Sequence, residues 1–115
     1  MLRKFHDRFR EIRPNMMGGS GEITIKHFFK PEEIKAKCRL CAEITIPAGS
    51  GIGTHEHIGE DEIYIITKGS GIVTENGKEY PVSVGDSVLT GNGGVHSIRN
   101  SDSEELILTA IIMTY

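Results

Sequence analysis

His55, His57, Glu62 and His96 offer three imidazoles and one carboxylate, a donor set suited to a divalent transition-metal ion. Three of the five histidines in the chain fall in this set. The first three residues lie in Gly49-x5-His55-x-His57-x4-Glu62-x6-Gly69, and the fourth in Gly85-x5-Gly91-x-Gly93-x2-His96-x3-Asn100, with turn residues punctuating both segments. On a strand alternate side chains share a face, so His55 and His57 both project toward one point. Glu62 opens the run Glu62-Ile-Tyr-Ile-Ile-Thr67, which reads as a strand, and its carboxylate can turn back toward the imidazoles. Glu60 competes for that role. It reads as a solvated carboxylate in a loop from Ile58 to Asp61, beside Gly59, whereas Glu62 shares a strand face with Tyr64 and Ile66. His96 lies far along the chain, as expected when a folded sheet assembles the site. Iron, manganese, nickel, copper and zinc all accept such donors, and ligand type does not choose among them. An octahedral ion held by four such groups keeps two positions for water or a bidentate ligand, the open coordination of a catalytic site.

The elements that must position these residues read as β-structure. Glu22 to Phe29 and Arg39 to Ile46 alternate, Gly71 to Thr74 pairs with Lys78 to Val82 through Asn76-Gly77, and Ser87 to Thr90, Val95 to Ile98 and Leu106 to Thr114 follow. Asn-Gly between two such runs is a hairpin signal. Pro31 to Ala36 reads as one helical turn started by its proline. Many short strands with glycine-rich corners predict a sandwich or barrel. Leu2, Phe5, Phe9 and Ile12 recur at helical spacing, so Met1 to Arg13 is expected to form a short amphipathic helix or arm, with Met16 to Gly21 as a linker.

The length of 115 residues fits one domain and therefore one site. A composition of 37% hydrophobic and 25% charged residues with no long apolar run describes a globular chain, with no membrane association expected. A net charge of -3 argues against nucleic acid, whose phosphates need clustered positive charge, and leaves a small molecule as the expected partner. The expected compartment is the cytoplasm. Cys38-x-x-Cys41 lacks the second pair that a zinc ribbon needs and sits in a strand-like run. On a regular strand the two thiols face opposite sides, so a structural reading is preferred.

The two glycine-bounded segments resemble the signature motifs of the cupin superfamily, G-x5-H-x-H-x3–4-E-x6-G and G-x5-P-x-G-x2-H-x3-N. Every fixed position of the first is matched, and the second is matched at Gly85, Gly93, His96 and Asn100. Gly91 replaces the proline, which removes a fixed φ and loosens a turn without touching a ligand. The resemblance implies an all-β, single-domain double-stranded β-helix, or jelly-roll barrel, over residues 22–115, preceded by an arm or short helix over 1–21. It also implies a homodimer holding one divalent ion at His55, His57, Glu62 and His96.

Cupin enzymes include dioxygenases, decarboxylases and sugar isomerases, so the resemblance implies a metal-dependent enzyme acting on a small carboxylic acid, keto acid or sugar derivative. The alternatives are a sensor module that holds such a molecule without turnover and a protein that keeps the ion for stability. The ligand pattern is similar to that of oxalate decarboxylases and oxidases. The arginine those enzymes carry three residues before the first ligand histidine is Ile52 here, which argues against oxalate. No general acid or base is assigned, since Glu56 alternates away from a pocket that His55 and His57 face. His6 and His27 read as packed or exposed side chains, Phe28, Phe29, Tyr64, Tyr80 and the isoleucine-rich C-terminal strand as core rather than substrate platform, and Arg39, Tyr64, Arg99 and Asn100 as groups that could orient a substrate.

Overall fold

Ten strands build the computed structural model, which describes every residue from Met1 to Tyr115. They are β1 (Phe9–Pro14), β2 (Glu22–His27), β3 (Cys38–Ile46), β4 (Gly51–His57), β5 (Glu60–Lys68), β6 (Ser70–Glu75), β7 (Lys78–Ser83), β8 (Ser87–Gly91), β9 (Gly94–Arg99) and β10 (Leu106–Thr114). One antiparallel sheet has the order β1-β2-β3-β10-β5-β8 and the other β4-β9-β6-β7, the two facing sheets of a jelly roll. Alternation along each strand sends Ile23, Ile25, Ile44, Ile46, Ile66, Leu106 and Leu108 inward from the larger sheet and Ile52, Val73 and Ile98 from the smaller, all buried.

Inward residues form rows across the larger sheet. One row runs His27–Ala42–Ala110–Tyr64 and its neighbour Leu40–Ile112–Glu62–Thr90. The two alanines, both fully buried, leave space between the flanking large side chains. Asn76 and Gly77 take positive φ of 48° and 85° and join β6 to β7, as the Asn-Gly signal predicts. Asn92 and Gly93 do the same between β8 and β9. Gly91 is not the loosened turn that its place in the motif predicts. It ends β8 opposite Asp61, and a Cβ there would collide with the Asp61 side chain.

The N-terminal arm is a strand rather than an amphipathic helix. Residues Phe5–Asp7 make one 3-10 turn, and all six residues of β1 pair with β2. A single short helix is marginal in water, whereas pairing satisfies the open edge of β2. Pro14 is tolerated because β1 is itself an edge strand. The following loop folds over β4 in close backbone contact. A Cβ on Gly53 would meet the Met17 carbonyl, and one on Gly19 the Gly51 carbonyl. Gly53→Ala is therefore expected to destabilise the fold by about 1–3 kcal/mol, the usual scale for overpacking, read as a lower urea midpoint with unchanged slope. A midpoint equal to that of the parent would show that the loop yields freely.

A bulge in β3 has two consequences. The register with β10 shifts between Leu40↔Ile112 and Cys38↔Met113, leaving Arg39 without a partner. Cys38 and Cys41 consequently lie opposite Met113 and Ile111, residues of one face of β10, so the thiols share a side instead of opposing as a regular strand requires. Both are free.

Candidate metal centre

His55 and His57 project from β4, and His96 lies directly opposite His55 on β9. His57 pairs with Gly94, where an added Cβ would press on Gly91 and Thr90 of β8. Glu62 reaches the three rings from β5 in the other sheet, so the centre is closed only when the sheets pack face to face. The four donor atoms lie within 4.8 Å of one another. Nε2 of His96 is 3.0 Å from Nε2 of both His57 and His55. Oε1 of Glu62 is 2.9 Å from His57 Nε2 and 3.0 Å from His96 Nε2, yet forms no well-aligned hydrogen bond.

The outer edges of the rings explain this convergence. His55 Nδ1 donates to the Gly53 carbonyl at 2.7 Å, and His57 Nδ1 donates to Glu60 Oε1 at 2.7 Å. Donation from Nδ1 leaves Nε2 of a neutral imidazole as a lone pair facing the centre. Burial opposes ionisation of Glu62, but polar contact with His55 and His96 prevails and holds its carboxyl down to about 2. Lone pairs and a carboxylate oxygen gathered at such separations in a buried site repel unless a cation lies among them, so the donor set fits a divalent ion. Burial pushes the pKa of His55 down, yet the adjacent Glu62 carboxylate raises it overall, a further sign that the centre favours positive charge.

Glu60 is not the solvated loop carboxylate expected from sequence. β4 and β5 are joined by Ile58 and Gly59 alone, so Glu60 is the first residue of β5 and lies on the inward face with Glu62. Arg39, turned to the barrel mouth by the bulge, donates from Nε and Nη2 to Glu60 at 2.7 Å each. That fork holds the Glu60 carboxyl down to about 2 and raises the Arg39 pKa. Arg39, Glu60 and His57 thus form a chain that fixes one ring of the centre. Such partners are worth about 10–100-fold in metal affinity, so Glu60→Gln is expected to weaken binding by that factor in competition with a chelator. An unaltered affinity would remove Glu60 from the support of the centre.

Tyr64 is fully buried and stacks on His96 with centroids 5.0 Å apart and planes 17° from parallel. Burial, reinforced by Glu62, raises its hydroxyl pKa well above the usual phenolic value. The other substrate-orienting candidates lie elsewhere. Asn100 donates to the Ile46 and Glu104 carbonyls at 2.9 and 2.6 Å and locks a corner, and Arg99 pairs with Glu79 on the surface. Phe28 and Phe29 are half-buried and Tyr80 is exposed, so none belongs to the core that the sequence suggested. His27, read as packed or exposed, is buried and contacts Glu11 Oε1 at 3.1 Å.

A cavity of about 210 Å³ opens beside the centre, smaller than sites for drug-sized molecules. His55, His57, Glu62 and Tyr64 share its wall with Ile25, Leu40, Ile44, Ile52 and Ile112, and with Glu11, Arg13, His27 and Arg39. Sequence reasoning passed over Glu11 and Arg13 because Met1 to Arg13 was read as a short helix or arm rather than as containing a strand. The alternation Phe9, Glu11, Arg13 is the signal that places them on one strand face.

A jelly roll with a His3Glu group placed to bind a metal ion defines a class of small metal-binding barrels. The chain belongs to the cupin family, whose cupin-domain model matches residues 42–112. A relative from Thermotoga maritima described as an oxalate-binding protein is 41% identical over 110 residues, spanning 92% of this chain and 91% of its own. A solved structure from Thermotoga maritima, described as a predicted oxalate decarboxylase, superposes with a TM-score of 0.95 at 37% identity over 100% of both chains. The cupin domain of Schizosaccharomyces pombe Cnp3 shares the fold, with a TM-score of 0.74 and 16% identity over 91% of this chain and 69% of that one.

Proposed function

We propose that this protein is a metal-dependent cupin enzyme acting on a small chelating acid, held in the cavity beside His55, His57, Glu62 and His96. The observation that carries the reading is the convergence of three Nε2 atoms and one carboxylate oxygen, with His55, His57 and Glu62 of that set on the wall of a cavity half of whose lining is hydrophobic. A divalent ion there supplies Lewis acidity to a chelated carboxylate or carbonyl. The chain's own groups hold and enclose the reactant. Arg39 and Glu60 fix the His57 ring, Tyr64 backs His96, and the aliphatic walls exclude water.

Ile52 puts an apolar wall where oxalate decarboxylases carry arginine, while the description of the 41% identical relative favours oxalate as a ligand. Oxalate is therefore the first acid to test. A second reading, binding without turnover, is favoured by one observation. Two carboxylates near the centre and cavity are engaged, Glu60 by Arg39 and His57 and Glu11 by Arg13 and His27, which leaves neither of them free to act as a general acid.

Elemental analysis of protein purified without added metal, then calorimetry with oxalate and assays of carbon dioxide release and oxygen consumption, separates these readings. Ion-dependent turnover supports the enzyme. Tight binding without turnover selects the binding module, and absence of both ion and binding removes the proposal. The cytoplasmic assignment draws support from the two free cysteines. A homodimer draws support from the exposed Leu2, Phe5, Phe9 and Ile12 of the arm, and light scattering showing a monomer would overturn it. No helix is long and apolar enough to cross a membrane.

A further inference from the structure

We infer that Arg13 and Arg39 receive a second carboxylate of the ligand, so that the acid chelated at the centre is a diacid whose far end lies at the cavity mouth. This rests on the chelating-acid reading above. The two arginines come from strands separated by β2, yet both line the cavity that His55, His57 and Glu62 also line. Their side chains are 48% and 55% exposed, which places them at the mouth rather than the floor.

Both guanidiniums are already oriented. Arg13 donates from Nε and Nη2 to Glu11 at 3.0 and 2.9 Å, and Arg39 donates from the same two atoms to Glu60 at 2.7 Å. Nη1 of each is left without a protein partner, and its N–H groups are those a carboxylate takes up. A tethered guanidinium gives up little further freedom on binding, unlike an arginine that is only solvated.

The charges point the same way. With neutral imidazoles and a divalent ion bound, the three carboxylates Glu11, Glu60 and Glu62 and the two guanidiniums would leave the centre and mouth with a net single positive charge. Without the arginines the sum would be negative and would repel an acid. Ile25, Leu40, Ile44 and Ile52 give the same cavity an aliphatic wall, which suits a short hydrocarbon link and cannot solvate an anion, with His27 a buried polar group among the lining. Oxalate, both of whose carboxylates are used in chelation, would leave the mouth unfilled.

The test is a pair of ligands with the same chelating head. Malate and 2-hydroxybutanoate both offer a carboxylate and an adjacent hydroxyl, and differ in a terminal carboxylate against a methyl group. Calorimetry on the protein loaded with its own ion is expected to show malate binding at least tenfold tighter, with 2-hydroxyglutarate as the probe one carbon longer. Arg13→Gln, a change on a half-exposed edge strand, is expected to shrink the preference severalfold, with metal content measured separately as the check on the centre. Equal affinities of the parent protein for diacid and monoacid overturn the inference without recourse to any variant. A preference that survives intact in Arg13→Gln also overturns it. If oxalate binds but neither diacid does, the chelating reading stands and this one falls; if no acid binds at all, the chelating reading itself is lost.

Discussion

His57→Ala is expected to reduce bound metal from near-stoichiometric to background. Three effects act together. One of four donors is lost, the Glu60 carboxylate loses the imidazole it orients, and Glu62 Oε1 loses a contact at 2.9 Å. The loss is visible in stability because an ion that binds only the native chain adds to it. At a free concentration a thousandfold above Kd that addition is about 4 kcal/mol, and it should vanish in the variant. Elemental analysis and the shift in thermal midpoint on adding metal measure the two consequences separately. Unchanged stoichiometry would remove His57 from the centre. Acidification should act in the same direction on the parent protein. The imidazoles must be neutral to ligate, so protons compete with the ion and apparent affinity falls as pH is lowered. A chelator titration whose midpoint does not move between neutral and mildly acidic pH would contradict histidine ligation.

Tyr64→Ala is expected to cost about 3–5 kcal/mol, the scale for removing a large aromatic side chain from a packed interior. Tyr64 occupies the row that begins at His27 and continues through Ala42 and Ala110, so its neighbours in that direction are too small to close the void. Its ring also supports His96, and metal affinity should fall with stability. Tyr64→Phe separates the two contributions. It keeps the ring and the stack on His96 while removing the hydroxyl that approaches Glu62, and should retain most of the stability. Denaturant melts of both variants without metal provide the comparison. A phenylalanine variant as unstable as the alanine one would mean that the hydroxyl, rather than the stacked ring, holds this part of the core.

The strand pattern was legible wherever alternation was strong and the turns carried their own chemistry. Leu106 to Thr114 is β10 with the expected bounds, and the hairpin at Asn76-Gly77 follows from residues that accept positive φ. Spacing likewise gave the four residues that the fold brings together at the centre, because a period of two aims His55 and His57 to one side whatever surrounds them. β1 was misread, as a helix or arm rather than a strand, because its apolar residues also fit a helical period, and local sequence could not show the unpaired edge of β2 that recruits it. The same misreading concealed Glu11 and Arg13. Glu60 was placed in a loop because Gly59 suggested a longer turn than the two residues that form it.

By itself, the sequence determined which donors were available, that a transition metal suits them, and that sheets would carry them, since these depend on residue type and short-range periodicity. Tertiary structure decided what those donors lean on. The bulge at Arg39, the Arg39–Glu60–His57 chain, the Tyr64 support under His96 and the arginine-lined mouth all depend on strand order and on the facing of two sheets. Contacts between residues distant in the chain are set by packing, and no local pattern encodes them.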